Sequence, residues 1–372
     1  MTSNVRPLRR ASEASEPNGS PGREALVTPP VCLTDETAAP FFIDWVSMSQ
    51  VHSEGGLPQV DSGCVWAADE DGAIEWRTLK AVKHEGSFET SVNVRCDGFR
   101  VTFSGNASRF GRSDNLFGYG WRECVKRINA ILAFYGLPPF TAGEAVQKPN
   151  GRGYIETRWT GARFSRLDLT ANYEAGSAEA ASLVMQYLGA QHAGRKSGRV
   201  LAAGETVDWG SGSRRQYWKA YVKALELKRH KCLDERLIQH CESRGIVRFE
   251  GTVRSNALVE LQCAFLGEYE RGFAMGQLVK LFDEHREVMT RATRSTDDLD
   301  ALPKHLRASA RDYLAGMDMA RELSRATFYR HRNDLLSYGI DIAMRNVSPF
   351  TPRVRVVELT RAEMPAWYQL AA

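Results

Sequence analysis

The stretch Phe164-Ser165-Arg166-Leu167-Asp168-Leu169-Thr170-Ala171-Asn172 decides how the rest of the chain is read. From Arg166 onward it alternates polar and apolar, and a strand's period of two puts Arg166, Asp168, Thr170 and Asn172 on one face, with Leu167, Leu169 and Ala171 on the other. The segment from Ile246 to Arg254 repeats the pattern, with Arg248, Glu250, Thr252 and Arg254 opposite Val247, Phe249 and Val253. Each strand therefore has a face built to pack and a face bearing an Arg-x-acid step.

Working outward, Phe41 to Val46 predicts an early strand, with further strands near Gly63 to Ala67, Thr90 to Cys96 and Phe99 to Ser104. Cys124, Ile128, Ile131 and Tyr135 recur at helical spacing, closed by Gly136 and Pro138. Ser177 is placed to cap a helix running to about Gly189. A Gly/Ser/basic loop from Gly194 to Arg215 follows, then Tyr217 to about Cys241. The order of strands and helices predicts an α+β domain with a largely antiparallel sheet flanked by helices. After about Phe265 the pattern turns helical. The expected organisation is a disordered tail over 1–39, an α+β domain over 40–266, a helical linker over 267–302 and a helical region over 303–372. The tail is assigned on composition, being rich in Ser, Pro, Glu, Arg and Ala without apolar periodicity.

The bulk composition, 372 residues with 43% hydrophobic, 25% charged and a net charge of +4, is that of an ordinary soluble protein and does not by itself name a partner. Seven scattered cysteines contain no CxxC pair or zinc spacing, which points to reduced, structural thiols. No apolar run approaches the length of about 18 residues that a membrane span needs, and the expected location is the cytoplasm.

Three segments carry chemistry. If the two alternating strands are neighbours, Asp168 and Glu250 can converge with the Asn172 amide on a hard divalent cation, which prefers oxygen ligands. The same alternation also arises from cross-strand ion pairs on a wet sheet face. In the second segment, Tyr217 and Tyr221 lie four apart, on one side of either a helix or a strand; as a strand it adds Lys219 and Lys223 to that side. A phenol with a pKa of about 10 needs a metal-bound phosphate or neighbouring lysines to act as a nucleophile, and tyrosines also pack at sheet edges. The surrounding charge is more telling, since Arg195 to Lys231 holds ten Lys/Arg against three Asp/Glu. Such a loop, with Arg214 and Arg215 before the tyrosines, suits a phosphate backbone and unpaired bases.

The third segment runs from Ala320 to Arg332, where a short helix, a Ser324 cap and a second helix suggest a helix-turn-helix. Arg325, Thr327, Arg330 and His331 take the groove-reading positions and Phe328, Leu335 and Leu336 face the core. A plain helical hairpin fits the same pattern.

Taken together, Phe42 to Ser47, Ser165 to Asn172, Gly212 to Lys223, Val247 to Glu250 and Ser324 to Arg332 resemble the replication initiators of filamentous phages, the gene II/gene X family, and more distantly rolling-circle plasmid initiators. That resemblance implies an HUH-endonuclease-like fold and Mg²⁺ or Mn²⁺ as cofactor. It implies a nick in one strand of a double-stranded origin, a 5′-phosphotyrosyl intermediate and rejoining of the displaced single strand. Host helicase and polymerase are the implied partners. The sequence departs from the HUH pattern in having no HxH, its eight histidines being isolated. Asp168 and Asn172 occupy the strand expected to carry those histidines, with Glu250 and Asp44 the other metal candidates. The Tyr-x-Lys pattern favours Tyr221 as nucleophile, with Tyr217 as second phenol or stacking residue. Arg166 and Arg248 join the candidate DNA contacts. The competing readings are a non-catalytic sequence-specific DNA-binding protein, such as a phage repressor or accessory replication factor, and a structural protein whose sheet merely resembles a nickase.

Overall fold

The computed structural model describes residues 39–149, 151, 153–193, 196–291, 302–314, 316–336, 338, 340–343 and 359–370. Of the expected tail, 1–38 lies outside the described residues, and Ala39 is buried.

Along the chain, β1 (Phe42–Val51) is followed by a hairpin of β2 (Cys64–Ala68) and β3 (Ile74–Leu79), then β4 (Val82–Glu85), β5 (Ser91–Cys96), β6 (Arg100–Gly105) and helix α1 (Trp121–Phe134). A second hairpin, β7 (Ala145–Pro149) and β8 (Ile155–Trp159), leads into β9 (Arg163–Glu174) and α2 (Ala178–Ala190). A short hairpin, β10 (His192–Ala193) and β11 (Lys196–Ser197), precedes β12 (Arg199–Leu201), β13 (Thr206–Trp209) and β14 (Gln216–Val222). Then come α3 (Lys223–Arg229), α4 (Glu235–Arg244), β15 (Ile246–Arg254), α5 (Ser255–Glu260), α6 (Leu266–Glu270) and α7 (Phe273–Arg291). The remainder holds α8 (Lys304–Leu314), α9 (Met319–Glu322), α10 (Arg325–Leu336) and β16 (Thr360–Arg361).

Nine strands form one antiparallel sheet in the order β12-β13-β14-β15-β9-β1-β6-β5-β4, and β16 adds to β9 beyond the start of β1. The two alternating strands are neighbours, with Glu250 opposite Thr170 and Thr252 opposite Asp168. The α+β expectation of an antiparallel sheet flanked by helices, followed by a helical region, is therefore met. The strand expected near Gly63 exists as β2 but pairs only with β3, outside the main sheet.

The apolar face forms the main core. Leu167, Leu169, Ala171, Phe249 and Val253 pack there with buried residues of α1, α2, α5, α6 and α7. Trp218 is sandwiched between Phe249 (ring centroids 5.3 Å apart) and His285 of α7 (4.3 Å), while Phe282 of α7 lies 5.5 Å from Phe249. This packing corrects the expected boundary, because 273–291 is a wall of the α+β core and not a linker. Local capping agrees with the sequence: Ser177 accepts from the Ala180 N–H at 3.2 Å, and Asp234 does the same for Leu237 at 3.0 Å. Gly245 ends α4 with φ +59°, and a Cβ there would stand 2.0 Å from Ser177 O, so glycine is required on both counts.

Two smaller cores complete the chain. One holds Leu116 and Phe117, residues of α3 and α4, and Ala362 and Tyr368 from the C-terminal segment. The other belongs to the helical unit, where Leu306, Ala310, Met319, Phe328 and Leu335 pack together with Ile340 and Ile342. The expected region 303–372 is thus two things, a helical unit and a segment that returns to the large sheet.

Candidate active site

On the polar face of β14, β15 and β9 lies a continuous belt of charge. Across β14 and β15, Lys219 is opposite Glu250 and Tyr221 opposite Arg248. The Tyr221 hydroxyl donates to Glu250 Oε1 at 2.6 Å, and Lys219 Nζ sits 2.7 Å from Glu250 Oε2 and 5.0 Å from the centre of the Tyr221 ring. Only 8% of Tyr221 is exposed, beside a cleft of about 180 Å³ lined also by Thr206, Lys219, Leu225, Glu226, Arg229 and His230. Burial, then the charge of Glu250, pushes the Tyr221 phenol well above its ordinary value. Burial pushes Glu250 upward as well, but Lys219 and Arg248 outweigh it and hold its carboxyl below the usual range.

Asp44 shares this face with Phe42, two residues before it and opposite Thr170, and lies at a β-bulge. The register of β1 on β9 steps from Ile43 opposite Leu169 to Trp45 opposite Asp168, leaving Asp44 as the extra residue. Its carboxylate accepts from Asn106 at 2.7 Å and from Asn115 at 3.4 Å. Burial and then the Glu250 charge raise its pKa. Asp168 is raised by burial against the pull of Arg166, which donates to both its oxygens at 2.9 and 2.6 Å and lies over the Trp45 ring at 4.9 Å.

The ion-pair alternative is realised, but not across strands for the expected pairs: Arg166 pairs with Asp168 within β9 and, more loosely at 3.8 Å, Arg248 with Glu250 within β15, while the cross-strand pair is Lys219 with Glu250. Asn172 is not turned toward the carboxylates. It donates to Leu116 O at 2.5 Å and accepts from Arg248 Nε at 2.9 Å, which takes its amide out of the expected ligand set. Oxygen-only donors, together with the Thr170 hydroxyl, buried without a hydrogen-bond partner on the same face, suit a hard cation in kind. As they stand, each carboxylate is answered by a neighbour, and among the described residues no three His, Cys, Asp or Glu side chains are grouped to hold a metal.

Three candidate contacts need correction. Arg248 is fully buried and donates to the backbone carbonyls of Asn115 and of Leu116 (2.7 Å), so it cannot meet DNA from the surface. Lys223, also fully buried, begins α3 instead of extending β14; its Nζ donates to Asn115 Oδ1 (2.8 Å) and Glu226 (2.7 Å). His331 faces inward, its Nδ1 2.8 Å from Ser309 Oγ and its ring 5.8 Å from that of His305. By contrast Arg325 and Arg330 are exposed on α10, with Tyr329 beside them, and Ser324 accepts from the Thr327 N–H as the expected cap. Arg214 is exposed, and Arg215 is paired with Glu260. Tyr217 donates to Asp208 at 3.2 Å, on the Lys219 side of Tyr221.

Sequence reasoning missed the loop from Arg112 to Phe117, whose Asn115 and Leu116 hold Asp44, Lys223, Arg248 and Asn172 together. A polar run of Arg112-Ser113-Asp114-Asn115 between apolar segments is the one local signal it offers.

The N-terminal family of the phage replication-associated protein, the gene II product, matches residues 42–272, and the C-terminal family of the same protein matches 300–371. The replication-associated protein of Enterobacteria phage I2-2 is 28% identical over 353 residues, spanning 88% of this chain and 96% of that protein. That of Escherichia phage If1 is 26% identical over 318 residues, spanning 74% and 97%. A solved rolling circle replication initiator protein from Geobacillus stearothermophilus is 13% identical, covers 66% of this chain and 84% of its own, and superposes with a TM-score of 0.27.

Proposed function

Because the chain belongs to the gene II family of phage replication-associated proteins, its work is to initiate rolling-circle replication by a site-specific nick, and we propose that Tyr221 makes that nick. The observation that carries the assignment is the 2.6 Å hydrogen bond from the Tyr221 hydroxyl to Glu250. It gives the phenol proton an acceptor at the moment the oxygen bonds to phosphorus. The bond from phosphorus to the 3′ oxygen breaks, leaving a 5′-phosphotyrosyl end and a 3′ oxygen that solvent protonates. Attack by the displaced strand's 3′-hydroxyl on the phosphotyrosine reverses the exchange, returns the proton to Tyr221 and closes the strand.

Lys219, against both Glu250 and the Tyr221 ring, is placed to offset the growing phosphate charge. Asp44, Asp168 and Glu250 are the residues that would hold Mg²⁺ or Mn²⁺, and a cation bound there would polarise a phosphate oxygen. Arg166, Arg214 and Arg215 would meet the DNA near the nick, and Arg325, Thr327 and Arg330 of the helical unit would read origin duplex. Tyr217 is the second phenol within reach of the same strand. The setting is the cytoplasm of the host, with its helicase and polymerase taking over from the 3′-hydroxyl.

The test is incubation of the full chain with supercoiled DNA bearing the element's own origin and Mg²⁺ or Mn²⁺, scoring nicked circles and protein-linked 5′ ends. Wild type and Tyr217→Phe should form the adduct and Tyr221→Phe should not. An adduct lost only in Tyr217→Phe would move the nucleophile. Origin binding without nicking under either metal would favour a non-catalytic DNA-binding protein.

A further inference from the structure

The polar face is held from a distance by the last described residues of the chain. Strand β16 pairs with the end of β9 at Glu174 and Tyr173, and the next residue, Ala362, donates its N–H to Asn172 O at 2.9 Å. Six residues on, Tyr368 is buried with its ring edge-on to Phe117 at 5.2 Å. Its hydroxyl is saturated: it donates to Asp114 at 2.6 Å and accepts from Arg112 Nη2 at 2.6 Å and from the Phe117 N–H at 3.3 Å. Asp114 in turn accepts from the Leu116 N–H at 2.7 Å, and Arg112 donates to Phe117 O at 2.9 Å. One phenol thus ties together Arg112, Asp114 and Phe117, at both ends and near the middle of the loop from Arg112 to Phe117.

That loop supplies the partners the polar face needs. The carbonyls of Asn115 and Leu116 receive the buried Arg248 guanidinium, and the Asn115 side chain joins Lys223 to Asp44. Without the two loop carbonyls the fully buried guanidinium keeps only Asn172 Oδ1, at 2.9 Å from Nε, and its Nη1 already lies 3.8 Å from Glu250 Oε1, the atom that accepts the Tyr221 proton, so it would be drawn toward that carboxylate. Loop position and nucleophile geometry are therefore linked through a short chain of polar contacts.

We propose that the C-terminal segment 359–370 is a positioning element for the nicking reaction, acting through Tyr368 on the Arg112–Phe117 loop. The proposal rests on the reading of Tyr221 and Glu250 as the reacting pair. The nicking machinery then does not end with the α+β domain but includes residues beyond the helical unit.

The experiment compares full-length wild type, Tyr368→Phe, Asn115→Ala, the double variant and Tyr221→Phe for single-turnover nicking of the origin plasmid, origin binding and thermal melting. Tyr368→Phe keeps the ring and its packing and removes only the hydroxyl. The expected result is a nicking rate reduced at least about tenfold at a temperature well below melting, since small misplacements at a reacting centre are costly, with origin binding close to wild type and only the modest drop in melting that losing a buried hydroxyl brings. The double variant should be no slower than the slower single, because both act along one path. An unchanged rate in Tyr368→Phe, a loss that comes from unfolding at the assay temperature, or independent losses that multiply in the double variant would each overturn the proposal. Should wild type form no Tyr221-dependent adduct, the reading beneath it fails too, and that outcome is distinguishable because it precedes any comparison of variants.

Discussion

Tyr221 and Glu250 sit two residues out of register across β14 and β15, and their side chains still meet, hydroxyl to carboxylate, at 2.6 Å. The diagonal contact leaves Lys219, directly opposite Glu250, free to engage its second oxygen.

Glu250→Gln should leave the phenol without a basic acceptor. Nicking is expected to fall by about 10²-fold or more, the usual worth of a positioned base, while origin affinity stays near wild type. Single-turnover cleavage of an origin oligonucleotide checks this; a rate within about twofold of wild type would remove Glu250 from the proton path.

Asp44 should be a site where stability and activity oppose each other. Burial and the Glu250 charge raise its folded pKa above 3.8, while the unfolded carboxyl ionises at the ordinary value, so the ionised side chain costs folding free energy at neutral pH. Asp44→Asn removes that cost and should raise the melting temperature at pH 7 by about 1–2 °C while lowering nicking. The gain is full above the folded pKa and disappears below pH 3.8, where both carboxyls are neutral; calorimetry across that range tests the sign.

Gly251 faces Trp218 so closely that a Cβ would stand 2.1 Å from the indole, which is itself locked between Phe249 and His285. Gly251→Ala is expected to cost about 1–3 kcal/mol through overpacking, read as a lower denaturation midpoint. An alanine variant as stable as wild type would mean the Trp218 stack yields more readily than its ring distances imply.

Arg330→Ala, exposed on α10, should weaken origin binding and reduce its salt dependence while sparing cleavage of a single-stranded oligonucleotide. His331→Ala should instead lower the stability of the helical unit, since it removes a buried partner of Ser309. Equal loss of single-strand cleavage in Arg330→Ala would assign α10 to the nicking site.

The alternation of Phe164 to Asn172 and of Ile246 to Arg254 was legible because a strand's period of two is a local property, and the Ser177 cap because its partner lies three residues away. What escaped was set by distance along the chain. Arg248 and Lys223 read as surface cations because nothing near them announces the loop that covers them, and the Tyr368 contact with Arg112 spans 256 residues. The helical linker was misplaced for the same reason: α7 is amphipathic by pattern, but it takes the contacts of His285 with Trp218 and of Phe282 with Phe249 to show which sheet it serves. The bulge at Asp44, which puts Trp45 on the face of Asp168 as well, is invisible until β9 supplies the register.

The seclusion of Tyr221 bears on what happens after the strand is cut. On the proposed reading, a phosphate ester on Tyr221 would form at an oxygen bonded to Glu250, on a side chain only 8% exposed beside the cleft, which leaves a stray water molecule little room to approach in line. Hydrolysis of such a link would be slow against the arrival of a strand end. The enzyme could then hold a half-finished circle for the duration of a full round of synthesis.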